Sequence, residues 1–119
     1  MGWVRWGSLV LLLGVTLGAF GAHGLKDRLS PNAAQLYHTA VLYHLVHGLG
    51  LLVVGWLASV RPMEPMVRYA GWAFVSGILL FSGSLYLLSV TGVRKLGMIT
   101  PLGGVAFLCG WLCLALAAR

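Results

Sequence analysis

Charged side chains are rare in this chain, and the gaps between them define its predicted elements. Four uncharged stretches of at least 20 residues cover positions 6–25, 29–60, 69–93 and 96–118. A bilayer core about 30 Å thick requires about 20 apolar helical residues, so each stretch is long enough to cross it. The pattern predicts four transmembrane helices in one domain, residues 1–119, at about residues 3–24, 31–59, 67–91 and 100–118.

The segments between the predicted helices are short and carry helix-start signals. Ser30 before Pro31 is typical of an N-cap followed by a first-turn proline, and Thr100 before Pro101 repeats that pattern. Short connections make consecutive helices antiparallel neighbours. The predicted fold class is therefore all-α, an integral membrane bundle of four helices with up-down-up-down topology and both termini on one side.

The composition supports a membrane protein, since 60% of the residues are hydrophobic, 8% are charged and the mean hydropathy is +0.93. The net charge of +6 comes from residues at the ends of apolar stretches, so membrane lipids with anionic headgroups, and not nucleic acid, are the expected partners. The lysines and arginines divide equally between the two sides: Arg5, Arg61, Arg68 and Arg119 against Lys26, Arg28, Arg94 and Lys95. The positive-inside rule therefore assigns no orientation, and a dual topology stays open.

The first apolar stretch also has the layout of a signal peptide, with Arg5 ahead of it and small residues around Gly21. Its length favours a retained transmembrane helix over cleavage after Gly21. Cys109 and Cys113 both fall inside the fourth stretch, where we expect them to act as small hydrophobic residues. Four tryptophans are predicted to form an interfacial aromatic belt on the side of the termini: Trp3, Trp6, Trp56 and Trp72.

Small residues indicate where the helices pack closely. Gly14 and Gly18 are four apart in the first helix, a spacing that lets another helix approach in lipid. The predicted helix-packing glycines are Gly14, Gly18, Gly48, Gly83 and Gly104.

Polar residues inside the bilayer are the candidate functional groups, because such groups are costly in lipid and face a cavity or a neighbouring helix. In the second helix, Tyr37, His44 and His47 share one stripe, bordered by Tyr43. In the third, Ser82 and Tyr86 share a face, while Ser84 projects about 200° away from Ser82. No carboxylate lies in any span to orient a serine and histidine pair, which disfavours hydrolase chemistry.

Three interpretations of the histidines stay open. They can hydrogen-bond across the bundle to Ser82, Ser84 or backbone carbonyls and simply specify packing. They can carry protons or a solute, since imidazole titrates near neutrality. They can hold a metal or a haem, although His23 and His44 lie at different depths.

Four motifs in order carry a resemblance to a known family: "LGAFGAHGL", "YHLVHGLGLL", "LFSGSLYLLSVTG" and "LGMITPLGGVAFLCGW". The chain resembles the small four-helix inner-membrane proteins of the domain of unknown function 423 family, which includes transmembrane-protein-256-like members. The resemblance implies an integral membrane protein without an assigned reaction, substrate or cofactor. It also suggests the cell inner (plasma) membrane and cytoplasmic termini. The matching motif positions are Gly18, Gly21, His23, Tyr43, His47, Ser82, Gly83, Ser84, Tyr86, Thr100, Pro101, Gly103, Gly104 and Trp111.

The resulting hypothesis is a non-enzymatic membrane protein that encloses a small polar centre. This centre is expected to bind a lipid headgroup, a small solute or a partner helix, without a cofactor or a metal. Its candidate residues are His23, Tyr43, His47, Ser82, Tyr86 and Thr100. An oligomeric transporter or proton-linked channel is the first alternative, and a haem or metal protein is the second. A homo-oligomer or a complex with another membrane protein is compatible with the glycine pattern.

Overall fold

A computed structural model of the protein describes residues 2–119, which form helices and connecting turns without any strand. Five α-helices follow in chain order: α1 (Gly2–His23), α2 (Pro31–Val60), α3 (Pro65–Gly77), α4 (Gly83–Thr91) and α5 (Thr100–Ala117). A π-helical turn, Ile78–Ser82, joins α3 to α4, and a 3₁₀ turn, Arg94–Met98, precedes α5.

The helices make four segments that are long and apolar enough to span a membrane, with α3, the π turn and α4 forming the third. The predicted all-α fold with four transmembrane helices is confirmed. Within residues 2–119, α1 packs mainly along α2, and α5 packs mainly along α3. Helix α2 also contacts the whole of the third segment. Consequently, α2 and the third segment form the middle of the bundle, and α1 and α5 flank them.

The two predicted cap-then-proline signals have different outcomes. The Ser30 hydroxyl accepts a hydrogen bond from the Ala33 amide at 3.1 Å, as an N-cap should. The Thr100 prediction is wrong, because Ile99 precedes α5 and no side chain caps that helix. The backbone is already helical at Ile99, so Thr100 lies within the first turn and its hydroxyl points to another partner.

Close helix contacts occur at three of the five predicted packing glycines. A methyl group at Gly14 would lie 2.7 Å from Leu45, and one at Gly48 would lie 2.7 Å from Leu11. Gly18 is less crowded, with Val41 at 3.3 Å from the same position. These contacts show that α1 and α2 pack closely along the glycines, and that a larger residue at Gly14 or Gly48 would require the facing leucine to move.

The expectation for Gly83 and Gly104 is corrected by the structure. A methyl group at Gly83 would come no closer than 3.9 Å to the Ile78 carbonyl, and one at Gly104 would lie 4.0 Å from Phe81. The close contact falls at Gly103, where a methyl group would overlap the Phe81 backbone nitrogen and lie 2.7 Å from its Cα. The sequence motif contains both glycines, and only the helix orientation distinguishes them.

The apolar core fills the half of the bundle on the side of the termini. It joins the end of α2, the beginning of α3 and the second half of α5, which lie at the same level because consecutive spans are antiparallel. The buried polar side chains lie in the rest of the interior, together with apolar residues such as Ala40 and Leu85. The core consists of Leu51, Val54, Leu57, Val67, Ala70, Phe74, Ile78, Phe107, Leu114 and Ala117.

Candidate functional site

His44 connects three helices through its two ring nitrogens. Nε2 lies 2.8 Å from the Val10 carbonyl oxygen of α1, and Nδ1 lies 2.8 Å from the Tyr86 hydroxyl of α4. A carbonyl can only accept, so Nε2 carries the proton and Nδ1 accepts from Tyr86. Gly14 leaves room for this ring, because a methyl group there would lie 3.1 Å from Cδ2 and 3.3 Å from Nε2 of His44. His44 therefore links α1 and α4 to α2.

His47, one turn further along α2, connects to the fifth helix. Its Nδ1 lies 2.8 Å from the Tyr43 carbonyl oxygen, and its Nε2 lies 2.9 Å from the indole nitrogen of Trp111. An indole N–H only donates, so Nε2 is the acceptor and Nδ1 donates to the carbonyl. The two buried histidines thus adopt opposite tautomers. This difference follows from their partners.

Aromatic rings enclose the imidazole of His47. The Phe107 ring stacks on it with centroids 3.5 Å apart and planes 9° apart, and the Phe74 ring meets its edge at 5.4 Å and 68°. Trp111 packs on Phe74 at 4.7 Å, so the hydrogen-bond donor is itself held in place. The imidazole is 3% exposed, so this cluster leaves no room for a ligand beside it.

The two serines of the third segment face different helices. Ser82 donates to the Ala40 carbonyl of α2 at 2.7 Å and is fully buried. Ser84 donates to the Phe81 carbonyl at 3.0 Å and therefore accepts from the Thr100 hydroxyl, 2.5 Å away. Ser82 thus joins the third segment to α2, and Ser84 joins it to α5.

The π turn places these serines at the middle of the third segment. It ends at Ser82, and it brings the Phe81 backbone against α5 at Gly103. A π-helical turn inserts one extra residue into a helix and changes which faces the flanking turns present. Nothing in the hydrophobic periodicity indicates it.

The predicted candidate residues do not form one centre. Tyr43 and His47 are in contact through the Tyr43 carbonyl. Tyr86 bonds to His44, whereas Ser82 and Thr100 each pair with other partners. His23 is exposed at the end of α1, and its Nδ1 hydrogen-bonds within its own helix to the Ala19 carbonyl at 2.9 Å. Four separate interhelical contacts therefore take the place of a single centre: His44 with Tyr86, His47 with Trp111, Ser82 with Ala40, and Ser84 with Thr100.

Two important members of these contacts, His44 and Trp111, are absent from the predicted site residues. His44 lies on the polar stripe of α2, which is the signal that could have selected it. Trp111 is among the motif positions of the resemblance, yet its link to His47 depends on how α5 is rotated against α2. Tyr37 is another interhelical residue absent from the predicted site residues, because its hydroxyl donates to the Leu17 carbonyl of α1 at 2.5 Å.

The polar interior is fully bonded within residues 2–119, where every buried side-chain nitrogen and oxygen has a hydrogen-bond partner. Each ring nitrogen of His44 and His47 is engaged, so a metal would have to displace one of these bonds. The described residues also contain no group of three or more potential metal-ligating His, Cys, Asp or Glu side chains. The hydrogen bonds of these interior side chains therefore serve to hold neighbouring helices together.

The Tyr43 hydroxyl differs from these interior polar groups, because it lies on the outer surface of the bundle and has no hydrogen-bond partner among residues 2–119. The Tyr43 hydroxyl makes no hydrogen bond to any residue in 2–119, and the side chain is 40% exposed on the outer surface. Its ring lies against Phe81 at a centroid distance of 4.6 Å. The neighbouring His44 packs opposite Gly14, near the middle of α1, so Tyr43 lies near the middle of the membrane-spanning segment of α2.

These features define a four-helix integral membrane protein whose internal polar groups join its helices. A family profile described as "Protein of unknown function (DUF423)" matches residues 17–104, and the chain belongs to this family. The sequence resemblance is thereby confirmed.

Several named membrane proteins are similar over almost the whole chain. The UPF0382 membrane protein YwdK of Bacillus subtilis is 52% identical over 112 residues, covering 94% of this chain and 91% of the relative. A UPF0382 membrane protein of Staphylococcus epidermidis is 49% identical, and one of Staphylococcus haemolyticus is 43% identical. Each of these two alignments covers 93% of this chain and 89% of the relative. No solved structure matches the chain significantly.

Proposed function

We propose that this chain is a non-enzymatic inner-membrane protein with cytoplasmic termini, and that it acts by binding a transmembrane helix through the face carrying Tyr43. The partner we propose is a second copy of the same chain. The observation that carries the proposal is the contrast between the bonded interior and the free Tyr43 hydroxyl within residues 2–119. A hydroxyl without a partner in hydrocarbon is unfavourable, because lipid chains offer it nothing to bond to.

A second copy satisfies this group by symmetry. In a two-fold dimer whose axis runs along the membrane normal, equivalent residues lie at the same depth. A tyrosine hydroxyl is both a donor and an acceptor, so two Tyr43 hydroxyls can bond to each other. Surrounding apolar side chains on the same surface of α2 are exposed, including Leu42 at 58% and Val46 at 41%, and provide area for packing.

Replacing Tyr43 with phenylalanine removes only the hydroxyl and should weaken dimerisation about three- to tenfold, the effect expected of one intramembrane hydrogen bond. The measurement is energy transfer between donor-labelled and acceptor-labelled copies in liposomes at decreasing protein-to-lipid ratios. Tyr69→Phe is the matched control, since Tyr69 is also exposed but lies near the beginning of the third segment, away from its middle.

Two results would contradict the proposal. One is a monomeric parent protein at every protein-to-lipid ratio. The other is a parent dimer whose dissociation is the same for Tyr43→Phe as for Tyr69→Phe, because the contact would then lie on another face. Crosslinking of a Tyr43→Cys copy in a background of Cys109→Ser and Cys113→Ala would locate the contact directly. We expect disulfide-linked dimers at position 43.

A further inference from the structure

Two neighbouring cavities on the side of the termini share the same walls. The first, about 430 Å³, lies between α1 and α3 and is almost entirely apolar, lined by Trp3, Trp6, Val10, Trp72, Val75 and Leu79. The second, about 590 Å³, lies beside the turn from α2 to α3 and carries polar groups. Trp3 and Trp72 line both cavities, so an apolar cavity and a polar cavity adjoin at this tryptophan pair, and we refer to them together as the groove.

The polar part of the groove is basic. Arg61 is the C-cap residue that follows α2, and Arg68 lies in the first turn of α3; both line this cavity together with Glu64. The Glu64 carboxylate accepts a hydrogen bond from the Met66 amide at 3.2 Å, where it caps α3. Two guanidinium groups against one carboxylate leave a net positive charge, and arginine binds phosphate oxygens well.

The apolar part runs from the membrane surface toward its centre. It extends along α3 from Trp72 to Leu79 and along α1 from Trp3 to Val10, seven residues in each case, or about 10 Å at 1.5 Å per residue. Leu79 belongs to the π turn at the middle of the third segment. A groove of this length and direction suits part of an acyl chain.

The tryptophan walls are held in place. Trp3 and Trp72 meet edge to face with ring centroids 5.5 Å apart and planes at 79°. Gly71 leaves the room that Trp3 occupies, because a methyl group there would lie 2.5 Å from that indole. The groove is therefore formed by packed rings, which reduces the entropy lost when a chain binds along it.

We propose that this groove binds one anionic phospholipid from the surrounding bilayer. The phosphate lies between Arg61 and Arg68, and one acyl chain lies along Trp3, Trp72 and the apolar residues beyond them. Charge at one end and apolar walls at the other distinguish a phospholipid from a free anion, which would use only the basic end. The inference is independent of dimerisation through Tyr43, because the two sites share no residue.

The test uses the full chain in liposomes and the quenching of its tryptophan fluorescence by lipids with brominated acyl chains. Brominated phosphatidylglycerol at low mole fraction should quench more strongly than brominated phosphatidylcholine. The double variant Arg61→Gln with Arg68→Gln should reduce this preference about tenfold, since each basic residue near an anionic surface contributes substantially. The matched control is Arg94→Gln with Lys95→Gln, which removes the same charge on the opposite side and should keep the preference.

A third variant separates the acyl groove from the basic end. Val75→Phe places a larger side chain in the groove, and it should lower quenching by both lipids while leaving both arginines in place. Equal quenching by the two lipids in the parent chain would overturn the proposal. So would an unchanged preference in the Arg61 and Arg68 variant, or its loss in the control. Unchanged quenching by both lipids in Val75→Phe would also overturn it, because the site would then be an anion site alone.

Discussion

Replacing Gly103 with alanine should lower the free energy of unfolding by about 3 kcal/mol, a large effect for the addition of a single methyl group. The added methyl would overlap the Phe81 backbone nitrogen and lie 2.7 Å from the Phe81 Cα. Backbone atoms cannot rotate away as a side chain can, so α5 would have to move off the third segment. That movement would also pull Thr100 away from Ser84.

Gly104→Ala provides a matched control for Gly103→Ala. It is the next residue in the same helix, and its added methyl would lie 4.0 Å from Phe81, an ordinary contact distance. Because alanine favours helix over glycine by about 1 kcal/mol, this variant should be neutral or slightly stabilising. Unfolding by denaturing detergent, followed by tryptophan fluorescence, measures both. Equal stability of the two variants would show that α5 does not present Gly103 to the third segment.

The fold could be predicted from the sequence because the length and polarity of a segment largely decide whether it spans a bilayer. Residues that break the apolar stretches, such as Lys26 and Arg61, mark the ends of the helices without any knowledge of tertiary contacts. The Ser30 cap is also a local property, and it is observed. By contrast, Thr100 follows a turn that is already helical, so the same two-residue pattern does not act as a cap there.

The interhelical contacts depend on register and rotation, which one sequence does not specify. The helical spacing predicts that Ser82 and Ser84 face different directions, and they do contact different helices. Their acceptor and donor, Ala40 and Thr100, could not be chosen from the sequence, because many backbone groups lie within reach of each span. The pair of Gly103 and Gly104 illustrates the same problem, since a rotation of about 100° exchanges their roles.

The hydrogen bonds of His44 also favour one arrangement of the helices, which apolar packing in lipid does not do alone. Without a preferred partner, apolar helices in lipid can rotate and slide at little energetic cost, because lipid tails contact them as well as other helices do. One imidazole donates to the Val10 carbonyl and accepts from the Tyr86 hydroxyl, and both bonds can form together only when the three helices are correctly aligned. The polar centre therefore contributes specificity to the fold as well as stability.

Replacing His44 with leucine should accordingly lower the free energy of unfolding by about 2 kcal/mol, since two interhelical hydrogen bonds are lost within the bilayer. Leucine restores most of the buried volume and leaves the Tyr86 hydroxyl without its partner. Adding Tyr86→Phe to this variant removes that stranded hydroxyl, so the double variant should be less destabilised than the sum of the two single changes.

His38→Leu is the control for this series, because His38 is an exposed histidine of the same helix and should tolerate the change with little effect. Detergent-induced unfolding of the three His44 and Tyr86 variants gives the coupling between the two residues directly. Strict additivity would mean that the hydrogen bond contributes nothing to the stability of the folded bundle in the membrane. A His38→Leu variant as unstable as His44→Leu would mean that the loss reflects helix polarity and not a specific contact. Coupling confined to His44 and Tyr86 is the expected result, because their hydrogen bond at 2.8 Å joins residues 42 positions apart and can form only when α2 and α4 are correctly aligned.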